Sequence, residues 1–265
     1  PDRIITGVES TVYFPEDGCK IHLLVYGLNE AQFNEIQKIR KDIYQTRDYI
    51  KEQNLAYSVA HATYSVNGRL QANHLRKLLL LFDNFEGING GRNHLNNVGW
   101  MNVLTNLTPS HIDKLYQRYR IEPFSDNSWT KGITGGSDDH AGLFLGRTYT
   151  EALANTPEEF LQKIREKKII CDGRHNDYQS LAFTIYKIAI DYSKTKSTEF
   201  SKTIMSQLTD FLVDNKTLSW KYRLKVRKSE EQDINSRLKT AFAELTNALK
   251  KENKIDKRFD LFYEK

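Results

Sequence analysis

Short apolar runs alternate with helical stretches over residues 1–177, and this alternation limits the fold more than any other feature of the sequence. Runs rich in Ile, Val and Leu occupy residues 3–9 and 20–26, with Gly or Pro close by, as is typical of β-strands. Between Asn29 and Ile50, apolar residues recur at helical spacing and predict one long helix. Strands that alternate with helices favour an α/β fold with a parallel sheet or barrel.

Polar side chains stand at the ends of several of these runs. Glu9, His61 and Asp138 lie at, or just after, the last residue of an apolar run. In parallel sheets and barrels the active site lies at the carboxyl ends of the strands, so this placement predicts a strand-end site. The other predicted elements are strands at residues 56–60, 84–88, 132–137 and 168–171, and helices at residues 71–81, from Pro109 and from Thr156.

Helical patterning alone continues from Tyr178 to the last residue. We therefore predict two parts, an α/β domain at residues 1–177 and a helical segment at residues 178–265. From Leu181 onward the sequence has 18 basic and 12 acidic residues, whereas the whole chain has a net charge of +5. Such a segment can bind nucleic acid or another anionic partner, or it can be a solvated, lysine-rich helical surface. Charge alone does not separate the two interpretations.

The sequence also limits the compartment in which the chain works. Its longest apolar stretch, residues 78–82, is far shorter than a membrane span, so no membrane partner is expected. The first residues lead straight into a strand-like run rather than a secretory signal. Two cysteines, Cys19 and Cys171, do not make a disulfide framework. These features predict a cytoplasmic protein.

Four motifs bring histidine and carboxylate side chains to the predicted strands. They are Gly-Val-Glu at residues 7–9, Ile-His at 21–22, Ala-His at 60–61 and Gly-Ser-Asp-Asp-His at 136–140. Imidazole and carboxylate ligands together suit Zn, Mn or Fe. A single histidine on an apolar strand is usually a packed core residue, and His22 taken alone has that interpretation too. Four such motifs at successive strands instead indicate a shared metal site.

The Gly-Ser-Asp-Asp-His segment resembles the last metal motif of the PHP (polymerase and histidinol phosphatase) superfamily, and the three earlier motifs occur in that family's order. The resemblance covers roughly residues 1–172. It implies a distorted (β/α)7 barrel that holds up to three divalent metal ions. By the same resemblance, Glu9 bridges two metals, and His22 and His61 complete one of those centres. Asp138 and His140 are implied as ligands of the other two.

The activity that the resemblance implies is hydrolysis of a phosphate ester, in which a metal-bound hydroxide attacks phosphorus. Glu9, Asp138 and His140 are the implied catalytic residues. Two arginines are candidates for binding the substrate phosphate: Arg92, after a predicted strand end, and Arg147, just past the Asp-x-His loop. The alternative for Arg92 is a solvated side chain in a Gly-rich turn.

The sequence departs from the family at its beginning. The family starts with a His-x-His strand and an Asp-His strand, and neither is present here. We therefore expect an incomplete barrel, in which only the metal centre of Glu9, His22 and His61 is complete. The alternatives are a fragment of a longer protein, a barrel completed by a separate N-terminal chain or by a homo-oligomer, and a degenerate domain. The expectation for the truncated chain alone is one bound metal and poor hydrolysis.

Three functions remain open at the level of sequence. The leading hypothesis is a metal-dependent phosphoesterase that acts on a phosphorylated small molecule or a nucleotide. The second is a PHP-type nuclease that trims nucleic acid ends, with the basic helical segment binding the backbone. The third is a non-catalytic PHP module that serves as an interaction domain in a larger assembly. Likeness of fold cannot choose among substrates.

Overall fold

The computed structural model describes residues 3–196 of the chain. Most of the predicted helical segment, with its basic residues and its predicted contact to nucleic acid, therefore lies outside the described residues. Within them, residues 3–139 and 144–177 belong to one compact unit. Residues 140–143 and the last helix belong to a second unit. None of the described helices is long and apolar enough to cross a membrane.

The first unit contains seven strands and six helices among its described residues. The strands are β1 (Gly7–Tyr13), β2 (Lys20–Tyr26), β3 (Ala56–Val59), β4 (Asn84–Asn89), β5 (Gly132–Gly136), β6 (Thr148–Glu151) and β7 (Ile170–Gly173). The helices are α1 (Glu30–Ile39), α2 (Ile43–Glu52), α3 (Ala72–Leu81), α4 (His94–Thr105), α5 (Pro109–Tyr119) and α6 (Pro157–Arg165). The helix of the second unit is α7 (Tyr178–Lys196).

The chain has an α/β fold built on an open, mixed sheet. Strands β1 to β5 lie side by side in the order of the sequence. The pairs β1–β2 and β2–β3 are antiparallel, whereas β3–β4 and β4–β5 are parallel. The prediction of a parallel sheet is therefore right only for β3 to β5. Strand β6, which no sequence pattern indicated, pairs antiparallel with β7 in a separate two-stranded sheet.

The first strand differs from its prediction in position. We expected a strand over residues 3–9, but β1 begins at Gly7 and continues to Tyr13. The cause is its partner, because β1 pairs residue by residue with β2 from Gly7↔Tyr26 to Tyr13↔Lys20. Short apolar runs do not show where a hairpin begins, since cross-strand pairing decides it.

The predicted long helix is two helices, because Asp42 starts a new one. Arg40 ends α1, and Asp42 has extended backbone angles. The Asp42 carboxylate accepts hydrogen bonds from the backbone N–H groups of Tyr44 at 2.8 Å and Gln45 at 3.2 Å. These bonds satisfy N–H groups that have no partner inside the first turn of α2.

Removal of this cap gives a stability test of the helix break. We expect Asp42→Ala to lower the free energy of unfolding by about 1 kcal/mol, the usual cost of losing an N-cap oxygen. Asp42→Asn is the matched control, because the asparagine side-chain oxygen can accept both bonds. This variant should lower the free energy of unfolding by only about a few tenths of 1 kcal/mol. Urea denaturation measures both variants. Equal stability of wild type and Asp42→Ala would contradict the capping role.

The two faces of the sheet have different roles. On β2, Ile21, Leu23 and Val25 are buried in the main core, which they share with apolar residues of α1 to α4. The alternate residues His22, Leu24 and Tyr26 point to the opposite face, as the two-residue period of a strand requires. Helix α6 packs on that opposite face through a smaller apolar cluster. The candidate site lies on this second face, which we call the site face.

Candidate metal centre

Glu9, His22 and His61, hereafter the metal group, come together on the site face of the sheet. Thr11 lies directly opposite His22 in the β1–β2 pairing, and Glu9 is two residues from Thr11. Glu9 and His22 are therefore diagonal neighbours on the same face, a separation that long side chains can bridge. The backbone N–H of Ala60 donates to the carbonyl of His22 at 3.0 Å, which places His61 at the same level of the sheet.

Distances within the metal group suit a bound cation. The Nδ1 atom of His22 is 2.5 Å from Oε1 of Glu9, and Nε2 of His61 is 3.4 Å from the same oxygen. One ligand atom from each of the three residues lies within 4.8 Å of the others, the only such group among the described residues. The two imidazole rings hold the pKa of the Glu9 carboxyl well below its usual range. Glu9 is thus ionised and ready to act as a ligand.

The donor atoms of the metal group also fit a divalent metal chemically. The Nδ1 of His22 lies against the Glu9 carboxylate, so a nitrogen and an oxygen ligand atom converge on one point. Two imidazoles and a carboxylate form a donor set that suits Zn, Mn or Fe. The metal group can therefore hold a metal ion.

His61 is held in an unusual backbone conformation. Its φ angle of +28° lies in the left-handed region, which residues other than glycine rarely adopt. Its backbone N–H donates to Oε2 of Glu86 at 2.8 Å, and its ring packs edge-on against Tyr64. Strained backbone is common at binding and catalytic sites, where the surrounding contacts stabilise it. Glu86 and Tyr64 are those contacts here.

Glu86 is a buried carboxylate that the sequence analysis did not select. It accepts from the His61 backbone and from Nδ2 of Asn89, both at 2.8 Å. Burial raises the pKa of Glu86, and the bonds from Asn89 and His61 oppose that shift only in part. A signal was present in the sequence, because Glu86 stands between Phe85 and Ile88 in a predicted strand, where charged residues are rarely buried without a role.

Asp138 and Arg92 lie together at the ends of neighbouring strands. Asp138 follows β5 with a φ of +46°, and its Oδ2 is 3.6 Å from a guanidinium nitrogen of Arg92. The Arg92 guanidinium stacks on the ring of Tyr64, 3.7 Å from its centre, and its Nε is buried with no hydrogen-bond partner among the described residues. Arg92 is therefore ordered by its neighbours rather than solvated, with unsatisfied donor capacity.

The predicted strand-end positions are right for two of three site residues. His61 and Asp138 follow strands β3 and β5, but Glu9 is the third residue of β1 and not at its end. Asp138 is outside the metal group, and His140 is exposed and belongs to the second unit. Arg147 is exposed, with its guanidinium 5.0 Å from the centre of the Phe144 ring.

A cavity of about 400 Å³ opens beside the metal group. Polar side chains form one part of its lining: Glu9, His61, Glu86, Asn89 and Asp138. The other part is mostly apolar and comes from the site face, the segment before β1 and helix α6: Ile5, Leu24, Tyr26, Phe160, Leu161 and Ile164. A concave site with a few convergent polar groups is the usual form of a small-molecule site.

Comparison with known protein families, curated proteins and solved structures finds no match to this chain. The PHP resemblance therefore rests on sequence motifs alone. What the structure adds is that three residues from separate motifs, far apart in the sequence, can share one metal ion.

Proposed function

We propose that this chain is a metal-dependent phosphoesterase, which hydrolyses the phosphate ester of a small molecule or a nucleotide. One observation carries the proposal: Glu9 and His61 of the metal group line a cavity that Asp138 also lines, with Arg92 beside Asp138. A cation site next to an ordered arginine is suited to a phosphate, because both attract its oxygens.

Different residues of the chain have different roles in the proposed reaction. When bound, a divalent metal ion lowers the pKa of a coordinated water and polarises phosphate oxygens. Glu9, His22 and His61 would hold that ion. Glu86 positions His61 by accepting its backbone N–H. Such contacts behind a ligand fix its orientation and affect metal affinity.

Arg92 is the candidate for holding the phosphate. Its stacking on Tyr64 fixes the guanidinium plane, and its Nε has no partner among the described residues. A guanidinium that is already ordered loses little entropy when it donates two parallel bonds to a phosphate. The neighbouring carboxylate of Asp138, which lines the cavity, holds the arginine nearby until an anionic substrate competes for it.

Several finer expectations belong to this proposal. They are a seven-stranded PHP-type barrel, further metal centres with Asp138 and His140 as ligands, Arg147 as a second phosphate contact, completion by another chain or a second copy, and a cytoplasmic setting. The nuclease and the non-catalytic module also stay as hypotheses. No observation within residues 3–196 favours the nuclease or the non-catalytic module. The nuclease hypothesis depends mainly on the basic segment that follows these residues.

Metal removal and reloading test the proposed function. We expect the chain stripped with a chelator to release no phosphate from 4-nitrophenyl phosphate, and to gain activity on addition of Mn²⁺ or Zn²⁺. Elemental analysis of the reloaded protein should find at least one metal per chain. Full metal loading without hydrolysis of any phosphate monoester would exclude the proposal. Cleavage of DNA ends that weakens steeply with salt would favour the nuclease instead.

A further inference from the structure

We propose that the cavity binds the apolar, ring-shaped part of a phosphate monoester whose phosphoryl group lies at the metal group, and that the Tyr26 hydroxyl donates a hydrogen bond to the ester oxygen. This inference rests on the proposed function and names its substrate class, a phosphate ester of an aromatic or similarly apolar alcohol. It follows from the lining of the cavity, from its size and from the position of Tyr26.

The lining of the cavity has a charged part and an apolar part. Carboxylates line it beside the metal group, whereas aliphatic and aromatic side chains, among them Ile5, Phe160 and Leu161, form much of the rest. One further polar side chain in the lining, Thr150, is already satisfied, because its hydroxyl donates to the carbonyl of Gly135 at 3.0 Å and accepts from its N–H at 2.9 Å. A sugar in this space would leave most of its hydroxyl groups without partners, which is costly. A hydrocarbon ring has no such cost.

The size of the cavity suits a ring together with a phosphoryl group. Its volume is about 400 Å³. An apolar protein cavity of roughly 150 Å³ is enough to hold benzene, and small-molecule sites start at roughly 300 Å³. A phosphorylated one- or two-ring compound therefore fits, with its phosphoryl group beside the metal group.

Tyr26 lies at the boundary between the charged and the apolar parts of the site. It pairs with Gly7 across the β1–β2 hairpin, so it is a diagonal neighbour of Glu9 on the side opposite to His22. Its ring packs on the apolar cluster of α6, which includes Leu161. Leu24 separates Tyr26 from His22 along the same face of β2.

The Tyr26 hydroxyl is a polar group at this boundary. The Tyr26 side chain lines the cavity, where a ligand can reach it. A phenol hydroxyl keeps its proton near neutral pH and can donate. A ligand oxygen placed between the metal group and the apolar wall would satisfy it. In a phosphate monoester, the oxygen at that place joins phosphorus to the ring.

Binding of phosphonates, which cannot be hydrolysed, tests the inference without relying on activity. Calorimetry on the Mn²⁺-loaded chain would compare 2-naphthylmethylphosphonate with methylphosphonate. We expect the ring compound to bind at least about tenfold more tightly, because burial of an aromatic ring typically contributes that much or more. Equal affinities of the chain for the two phosphonates would overturn the inference. This result would be found if a protein segment filled the cavity.

Two variants and one control locate the binding. Ile5→Trp fills part of the cavity and should remove the preference for the ring compound. Ile4→Trp is the matched control, since Ile4 is largely exposed and does not line the cavity, and it should keep the preference. Tyr26→Phe retains the aromatic ring and should lower kcat/KM for 2-naphthylmethyl phosphate by about tenfold, the usual effect of losing a hydrogen bond, while binding of the ring phosphonate, which has no ester oxygen, stays unchanged. Unchanged kcat/KM in Tyr26→Phe would remove the hydroxyl from the proposal.

The two levels of the proposal fail in different ways. Preferential binding of the ring phosphonate without hydrolysis of any ester would reject the proposed function and keep the cavity assignment. Hydrolysis of phosphate esters without preference for a ring would reject the cavity assignment alone. If neither phosphonate binds to the metal-loaded chain, the cavity assignment is wrong.

Discussion

His22→Ala is expected to weaken divalent metal binding by more than about 100-fold. The reason is that loss of a residue that merely supports a metal ligand already costs about 10- to 100-fold in affinity or activity, and His22 itself supplies a ligand atom. Without His22, Glu9 and His61 form a two-ligand site, which is too few for a tightly held metal. Calorimetric titration with Zn²⁺ or Mn²⁺ measures the affinity, and phosphate release from 4-nitrophenyl phosphate should fall with it.

Thr11→Ala is the matched control for His22→Ala. Thr11 faces His22 across the β1–β2 hairpin, on the same face of the sheet, but has no imidazole or carboxylate. Its replacement disturbs the same surface without removing a ligand, so metal affinity should stay close to that of the wild type. Equal metal affinity in the two variants would place the metal elsewhere and refute the assignment of the metal group.

Local features of the fold were predictable from the sequence because short-range chemistry decides them. The run at residues 20–26 predicted β2 with its bounds, and Pro109 predicted the first turn of α5. The break between α1 and α2 was missed because apolar spacing continues across it, whereas the Asp42 side chain decides it. An aspartate inside a periodic run is an N-cap signal, and it should outweigh the periodicity.

Pairing between strands set the limits of what the sequence could predict about the site. The motifs that contain Glu9, His22 and His61 were identified, and the structure brings these residues together. The predicted strand-end position was wrong for Glu9, because Glu9 lies within an antiparallel hairpin and not at the end of a strand. Tyr26 and Glu86 were not selected, because only the register shows that they share the site face.

A second cluster of charges lies away from the metal group, at the start of β4. The Asp83 carboxylate accepts from Ser128 Oγ at 2.7 Å and contacts Lys131 Nζ at 3.2 Å and Lys167 Nζ at 2.8 Å. Lys131 has no exposed side-chain surface, and its Nζ also donates to the carbonyls of Leu79 at 2.7 Å and Phe82 at 2.8 Å. The cluster joins the segment before β5 to the end of α3.

The charges of this cluster depend on one another. Burial lowers the pKa of Lys131 to about 8, although Asp83 opposes that shift. Burial disfavours the charge of Asp83, but Lys131 and Lys167 outweigh it and lower the pKa of its carboxyl. In the unfolded chain Lys131 keeps its proton up to about pH 10.4. Between about pH 8 and that value the unfolded state binds more protons, so the contribution of Lys131 makes the folded state more stable as pH rises.

Asp83→Asn is expected to lower the free energy of unfolding at pH 7 by about 3–5 kcal/mol, because it leaves Lys131 buried without its counter-charge. The loss should be smaller at pH 9, where Lys131 can release its proton in the folded state. Urea denaturation at both pH values measures it. Asp48→Asn is the control, since Asp48 pairs with Arg47 at 2.8 Å but is 67% exposed, and exposed pairs contribute about 1 kcal/mol or less. Similar small losses in both variants would show that the Asp83 cluster does not stabilise the fold.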